Sequence, residues 1–94
     1  MTSGTFDWDA AKSERNHRDR DLPFELVALL FQSPVHQWED TRRDYGERRI
    51  RAVGIAGSLI LHCVYTDRDG VRRIISLRRA NRNERDAYRA MHPQ

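Results

Sequence analysis

A change of hydrophobic rhythm at Arg48 constrains this chain more than any other feature. From there apolar residues recur with a period of two, over residues 48–54, 59–66 and 71–78. Alternation of that length belongs to half-buried β-strands. Ala56-Gly57-Ser58 separates the first two runs and Asp67-Arg68-Asp69-Gly70 the last two. Asp-Gly between alternating runs is a strong hairpin signal, so the three runs predict an antiparallel meander.

Upstream the rhythm is helical. Asp9 suits the cap of a helix over residues 10–19, a segment with almost no apolar stripe and hence one face left open. Pro23 fits the first turn of a second helix with Asp21 as its cap. Phe24, Val27, Ala28 and Phe31 recur there at helical spacing, Leu26, Leu29 and Leu30 widen the stripe, and Ser33-Pro34 stops it. Phe6-Asp7-Trp8 alternates like an edge strand, residues 35–38 suggest another short one, and residues 39–47 read as a charged loop hinged at Gly46. Asn81 and Glu84 have capping-box spacing and open a C-terminal helix carrying Ala87, Tyr88 and Met91. Residues 1–5 read as a loose end. The order predicts an α+β sandwich, a small antiparallel sheet of three C-terminal strands plus one or two N-terminal ones, with helices packed on one face.

At 94 residues the expectation is one domain over 1–94. Hydrophobic residues make up 38% and charged ones 33%, so the core is thin and the surface dense in charge. No apolar run approaches the ~18–20 residues of a membrane helix, and the N-terminus has no signal-peptide core, so a cytoplasmic protein is expected. The single cysteine, Cys63, forms no intramolecular disulfide. Net charge is +3, and of 17 basic residues only Lys12 is lysine. Guanidinium presents a planar fork that matches phosphate, although a GC-rich genome enriches arginine equally well. Composition permits an RNA partner without requiring one.

Several chemistries are disfavoured. Among His17, His36, His62 and Cys63, the last two are adjacent on a strand and point to opposite faces, so they cannot share an ion. Cys63 lies within an apolar run and reads as an inert core thiol. No glycine-rich phosphate cradle occurs, so neither metal nor cofactor is expected. Strand arginines remain. Ile50 and Ala52 share one face, Arg49 and Arg51 the other, whereas residues 71–79 carry apolar and basic side chains on both faces. Clustered guanidiniums suit phosphate binding and a charged transition state. They equally suit a solvated face whose stems cover apolar surface. Tyr65 and His62, on the central run, can stack a base or move a proton, or simply pack.

Four segments, read in order, resemble the BrnT family of RelE-like toxins. They are Phe6-Asp7-Trp8-Asp9 with Lys12 and Asn16, and Phe24 through Phe31 with Pro34. Then comes Tyr45-Gly46-Glu47-Arg48-Arg49-Ile50-Arg51-Ala52-Val53-Gly54, with Gly46, Glu47, Arg49 and Gly54 at family positions. Last is Val64-Tyr65-Thr66 followed by Arg73-Ile74-Ile75-Ser76-Leu77-Arg78-Arg79-Ala80, Glu84 and Tyr88, the most specific block. The resemblance implies a RelE-like fold and a translation-halting endoribonuclease that needs no metal and uses the ribose 2′-hydroxyl as nucleophile. It also implies a BrnA-like ribbon-helix-helix antitoxin, a complex with it (a heterotetramer is one arrangement), and contact with operator DNA only through that partner. On the matching positions, Lys12, Arg49, Arg73, Arg78 and Tyr65 become catalytic candidates. Arg20, Arg51, Arg79 and His17 become substrate-binding candidates.

One stretch departs from the family. Asp19-Arg20-Asp21 stands where Lys-His-Gly is usual, and an arginine cannot replace a proton-shuttling histidine near neutrality. His17, one turn earlier, is the available substitute. A homologue that only binds its antitoxin, or a generic basic RNA-binding module, are the competing readings.

Overall fold

The computed structural model describes residues 5–92. Its elements are β1 (Phe6–Asp7), α1 (Ala10–Arg20), a 3-10 turn (Phe24–Leu26) running into α2 (Val27–Leu30), β2 (His36–Glu39), β3 (Ile50–Ala56), β4 (Leu59–Arg68), β5 (Val71–Arg79) and α3 (Arg82–Met91). The expectation of a loose end falls outside the described residues for 1–4. Thr5 does not fit it, because its carbonyl accepts the Arg72 N–H at 3.0 Å.

The α+β expectation holds, and the meander is present: β3, β4 and β5 pair antiparallel in sequence. The five strands lie in the order β1-β5-β4-β3-β2. The sheet is mixed rather than purely antiparallel, because β1 joins β5 in parallel. The expected boundaries shift slightly, since β3 begins two residues late and β4 extends to Arg68. The last hairpin thereby shrinks to Asp69-Gly70, with φ of 52° and 80°, the two left-handed positions of a type I′ turn.

Helices occupy both faces, which corrects the one-face expectation. On one face Leu22, Phe24, Val27 and Leu30 pack on Ala52, Ala56, Leu61, Cys63, Tyr65, Ile74 and Leu77. On the other, α3 sets Tyr88 against Val53 and Ala80, with Trp38, Ile55 and Ile60 alongside. Each strand's alternation feeds these two layers.

The second helix is shorter than its stripe suggested. Phe24, Val27 and Leu30 are buried at a spacing of three, which the opening 3-10 turn favours, while Leu29 is 45% exposed. Asp21 does not cap it. It closes α1 instead, in the left-handed region at φ 58°, with its N–H bonded to the His17 carbonyl. Asp9 caps α1 as expected, accepting from the N–H groups of Ala11 and Lys12.

The polar α1 docks through hydrogen bonds rather than a stripe. Ser13, buried, accepts from the Phe24 N–H at 2.9 Å and donates to Glu25. One turn apart, Lys12 Nζ donates to the Ile75 carbonyl (2.9 Å), Asn16 Nδ2 to the Leu77 carbonyl (3.0 Å), and Arg20 Nη1 to the same carbonyl (3.3 Å). β1 pairs with Arg72 and Arg73, so among the described residues the outer margin of β5 beyond them lacks a strand neighbour. Side chains of α1 satisfy the carbonyls there, which blunts an edge that would otherwise invite pairing.

Candidate active site

The register across β4 and β5 slips between Val64 and Tyr65: Tyr65 faces Ile74, Val64 faces Ser76, and Ile75 is the extra residue of a bulge. That bulge explains why basic and apolar residues lay on both faces of residues 71–79. Before it Arg72 and Ile74 share the Cys63 face; after it Leu77 and Arg79 do, and Arg78 turns to the opposite face beside His62.

On that opposite face Arg51, His62 and Arg78 stand on three neighbouring strands, and α3 brings Glu84 over them. Arg78 holds Glu84 with both nitrogens, at 2.8 and 2.9 Å. Arg51 Nη2 reaches the same carboxylate at 3.4 Å, and its Nε donates to His62 Nε2 at 3.1 Å. Glu84 is placed by the capping box, accepting the Asn81 N–H while Asn81 accepts the Glu84 N–H. The Arg51 guanidinium also lies 5.0 Å from the Trp38 ring centroid, and the His36 ring stands 5.0 Å from that of Trp38.

Electrostatics fix the protonation states. Burial, with the charge of Arg78, pushes His62 down to about 4, so the ring is neutral near pH 7 and can accept from Arg51. Its Nδ1 is buried without a hydrogen-bond partner among the described residues. Burial works to raise Glu84, but hydrogen bonds from Arg78 and the Asn81 backbone prevail and hold it at about 2. Two cations, one anion and a neutral imidazole therefore share this face. Among the described residues no three His, Cys, Asp or Glu side chains group into a metal cage.

Of the sequence candidates, Arg51 and Arg78 meet here. Arg79 and Arg20 line a shallow cavity with Arg78 and Leu22 at the adjoining margin. Lys12 stands at the β5 edge as described. Arg73 pairs with Asp7 (2.7 Å), and Arg49 pairs with Glu47 while lying 4.3 Å from the Tyr45 ring. Tyr65 is on the far face, its hydroxyl donating to Gln37 at 2.8 Å and its ring under Arg72. His17 pairs with Asp21 on exposed α1, away from this group. Cys63 is fully buried, and burial pushes its thiol up to about 12, in keeping with an inert core residue. Sequence reasoning noted Glu84 as a cap and as a residue of the family-like block, not as a partner of the arginines, and placed Trp38 only on a short strand. Another unread feature is the buried Asp40, which accepts from Arg42 and Tyr45 and is held by Arg42 below the usual carboxylate range.

A family model described as the ribonuclease toxin BrnT of type II toxin–antitoxin systems matches residues 8–84. The chain belongs to the BrnT toxin family. Comparison with curated proteins gives no match. The matched span runs from Trp8 through β5 into the first turn of α3 and ends on Glu84, so it contains every member of the Arg51–His62–Arg78–Glu84 group. The family is described as one of ribonuclease toxins.

Proposed function

We propose that this chain is itself a cytoplasmic endoribonuclease that inhibits translation, works without metal, and is neutralised by a BrnA-like ribbon-helix-helix antitoxin. The observation that carries this reading is the convergence of Arg51 and Arg78 on the two oxygens of Glu84. A phosphodiester offers guanidinium the same two-oxygen edge, so it competes for the fork that Glu84 now occupies. In-line attack forms the bond from the ribose 2′-oxygen to phosphorus and breaks the bond to the 5′-oxygen. The 2′-hydroxyl loses its proton and the departing oxygen gains one. The pentacoordinate state between carries an extra negative charge, and fixed guanidiniums stabilise it more than the ground state. Neutral His62 orients Arg51 by accepting its Nε–H. Arg20 and Arg79 extend the positive margin along which the RNA strand lies.

The antitoxin complex, in which a heterotetramer is one arrangement, touches operator DNA through the ribbon-helix-helix part alone. The decisive experiment is cleavage of a defined RNA by purified protein in a chelating buffer, with and without antitoxin. Cut ends bearing 2′,3′-cyclic phosphate and 5′-hydroxyl, suppressed by antitoxin, are expected. A folded protein that leaves RNA intact, or that cuts only with added divalent metal, overturns the reading.

A further inference from the structure

Trp38 has no place in the chemistry above, yet the fold puts it beside the arginine group. β2 pairs with β3 so that Trp38 stands opposite Arg51 and His36 opposite Val53. Both rings thus rise from the face that carries Arg51, His62 and Arg78. The rings of His36 and Trp38 lie 5.0 Å apart and tilted by 40°, and Arg51 approaches Trp38 to 5.0 Å from the strand behind. Among the described residues no strand lies beyond β2, and both rings are only half-buried. The Trp38 ring is kept at the rim of the charged cluster, packed alongside Val53, Ala80 and Tyr88 and edge-on to His62 at 6.5 Å, yet left partly open.

We propose that Trp38, flanked by His36, is the stacking platform for one unpaired base of a single-stranded RNA whose neighbouring phosphate meets Arg51 and Arg78. The inference rests on the ribonuclease reading for its ligand. A nucleotide joins base and phosphate through a single ribose, so an aromatic face and a guanidinium side by side match its two recognisable parts. Aromatic rings accept a base only when that base has left its own stack, which a duplex does not permit without unpairing. The platform therefore selects single strands while reading little sequence, because every base offers a π-face.

The test uses the Trp8→Phe variant, which leaves Trp38 as the only tryptophan. Its fluorescence is titrated with a single-stranded 2′-O-methyl RNA, which resists cleavage through its 2′-oxygen, with the matching duplex, and with inorganic polyphosphate. Saturable quenching by the single strand, and little by the other two, is expected. By anisotropy of the labelled strand, Trp38→Ala weakens binding about 10- to 100-fold, and Trp38→Phe retains most of it. Equal quenching by duplex or polyphosphate, or undiminished binding by Trp38→Ala, overturns the platform. Cleavage of unmodified RNA is scored separately. Cutting without quenching sinks the stacking proposal and spares the ribonuclease reading, and quenching without cutting does the reverse.

Discussion

Arg78 grips Glu84 through two parallel hydrogen bonds of 2.8 and 2.9 Å, while the same Glu84 oxygen that takes the shorter one also accepts the Asn81 N–H at 2.9 Å. One carboxylate thereby starts α3 and aims a strand arginine. Its side chain is only 10% exposed, so each partner depends on the other.

Arg78→Ala is expected to lower RNA cleavage about 100-fold, the scale of losing one preorganised charge donor. Arg78→Lys keeps the charge but loses the fork and should fall between the two. Cleavage rates on folded protein, checked by circular dichroism, measure this. An Arg78→Ala variant that cuts at the parent rate removes Arg78 from the site.

Acid weakens the fold in two windows. The folded His62 titrates near 4 against an ordinary 6.5, so the unfolded chain takes up the proton first as pH falls through that interval. Stability is complete above about 6.5 and drops by about 3 kcal/mol at most by pH 4. Glu84, at about 2 against 4.5, adds a loss of the same sign between 4.5 and 2. Urea midpoints across pH should show both windows, and His62→Gln should flatten the upper one alone.

Gly54 lies where a side chain has no room. A Cβ there would stand 3.0 Å from Val35 Cγ1 and 3.1 Å from Leu30 Cγ, which is the close approach of the second helix to β3. Gly54→Ala is expected to cost about 1–3 kcal/mol by overpacking. A denaturation midpoint equal to that of the parent would show that the helix yields freely.

Asn16→Ala removes one amide that serves two carbonyls, those of Leu22 and Leu77. About 1–2 kcal/mol should be lost, the cost of part-buried acceptors left unmade. Cleavage per folded molecule should be unchanged, because Asn16 stands at the β5 edge rather than beside Arg51. A specific drop in turnover would instead place Asn16 itself within the RNA path.

The meander, the Asp-Gly turn and the capping box were legible because each is a local signal: alternation, a left-handed pair, a reciprocal hydrogen bond. The face of Arg78 was not, since one unpaired residue at Ile75 breaks the alternation from which faces are read. Nor was α3 assignable to a layer, because Tyr88 alone is buried along it and a single ring does not say which side of a sheet it covers. Lys12 and Asn16 stood out by resemblance, while their contacts with strand carbonyls depend on partners more than sixty residues away. Arg51, by contrast, was placed on the right face by simple alternation with Ile50 and Ala52.

The bulge at Ile75 also makes β5 a strand of two reading frames. Residues up to Ile74 count from the hairpin, and those from Ser76 count from the approach to α3; each half alternates regularly on its own. Removing Ile75 would merge the frames and leave every later side chain on its present side. Adding or losing one residue after Ser76 would instead exchange wet for dry, turning Arg78 into the oily layer beneath the 3-10 turn and α2. Length variation in this strand should thus be tolerated at a single joint and lethal to the fold's chemistry everywhere downstream of it.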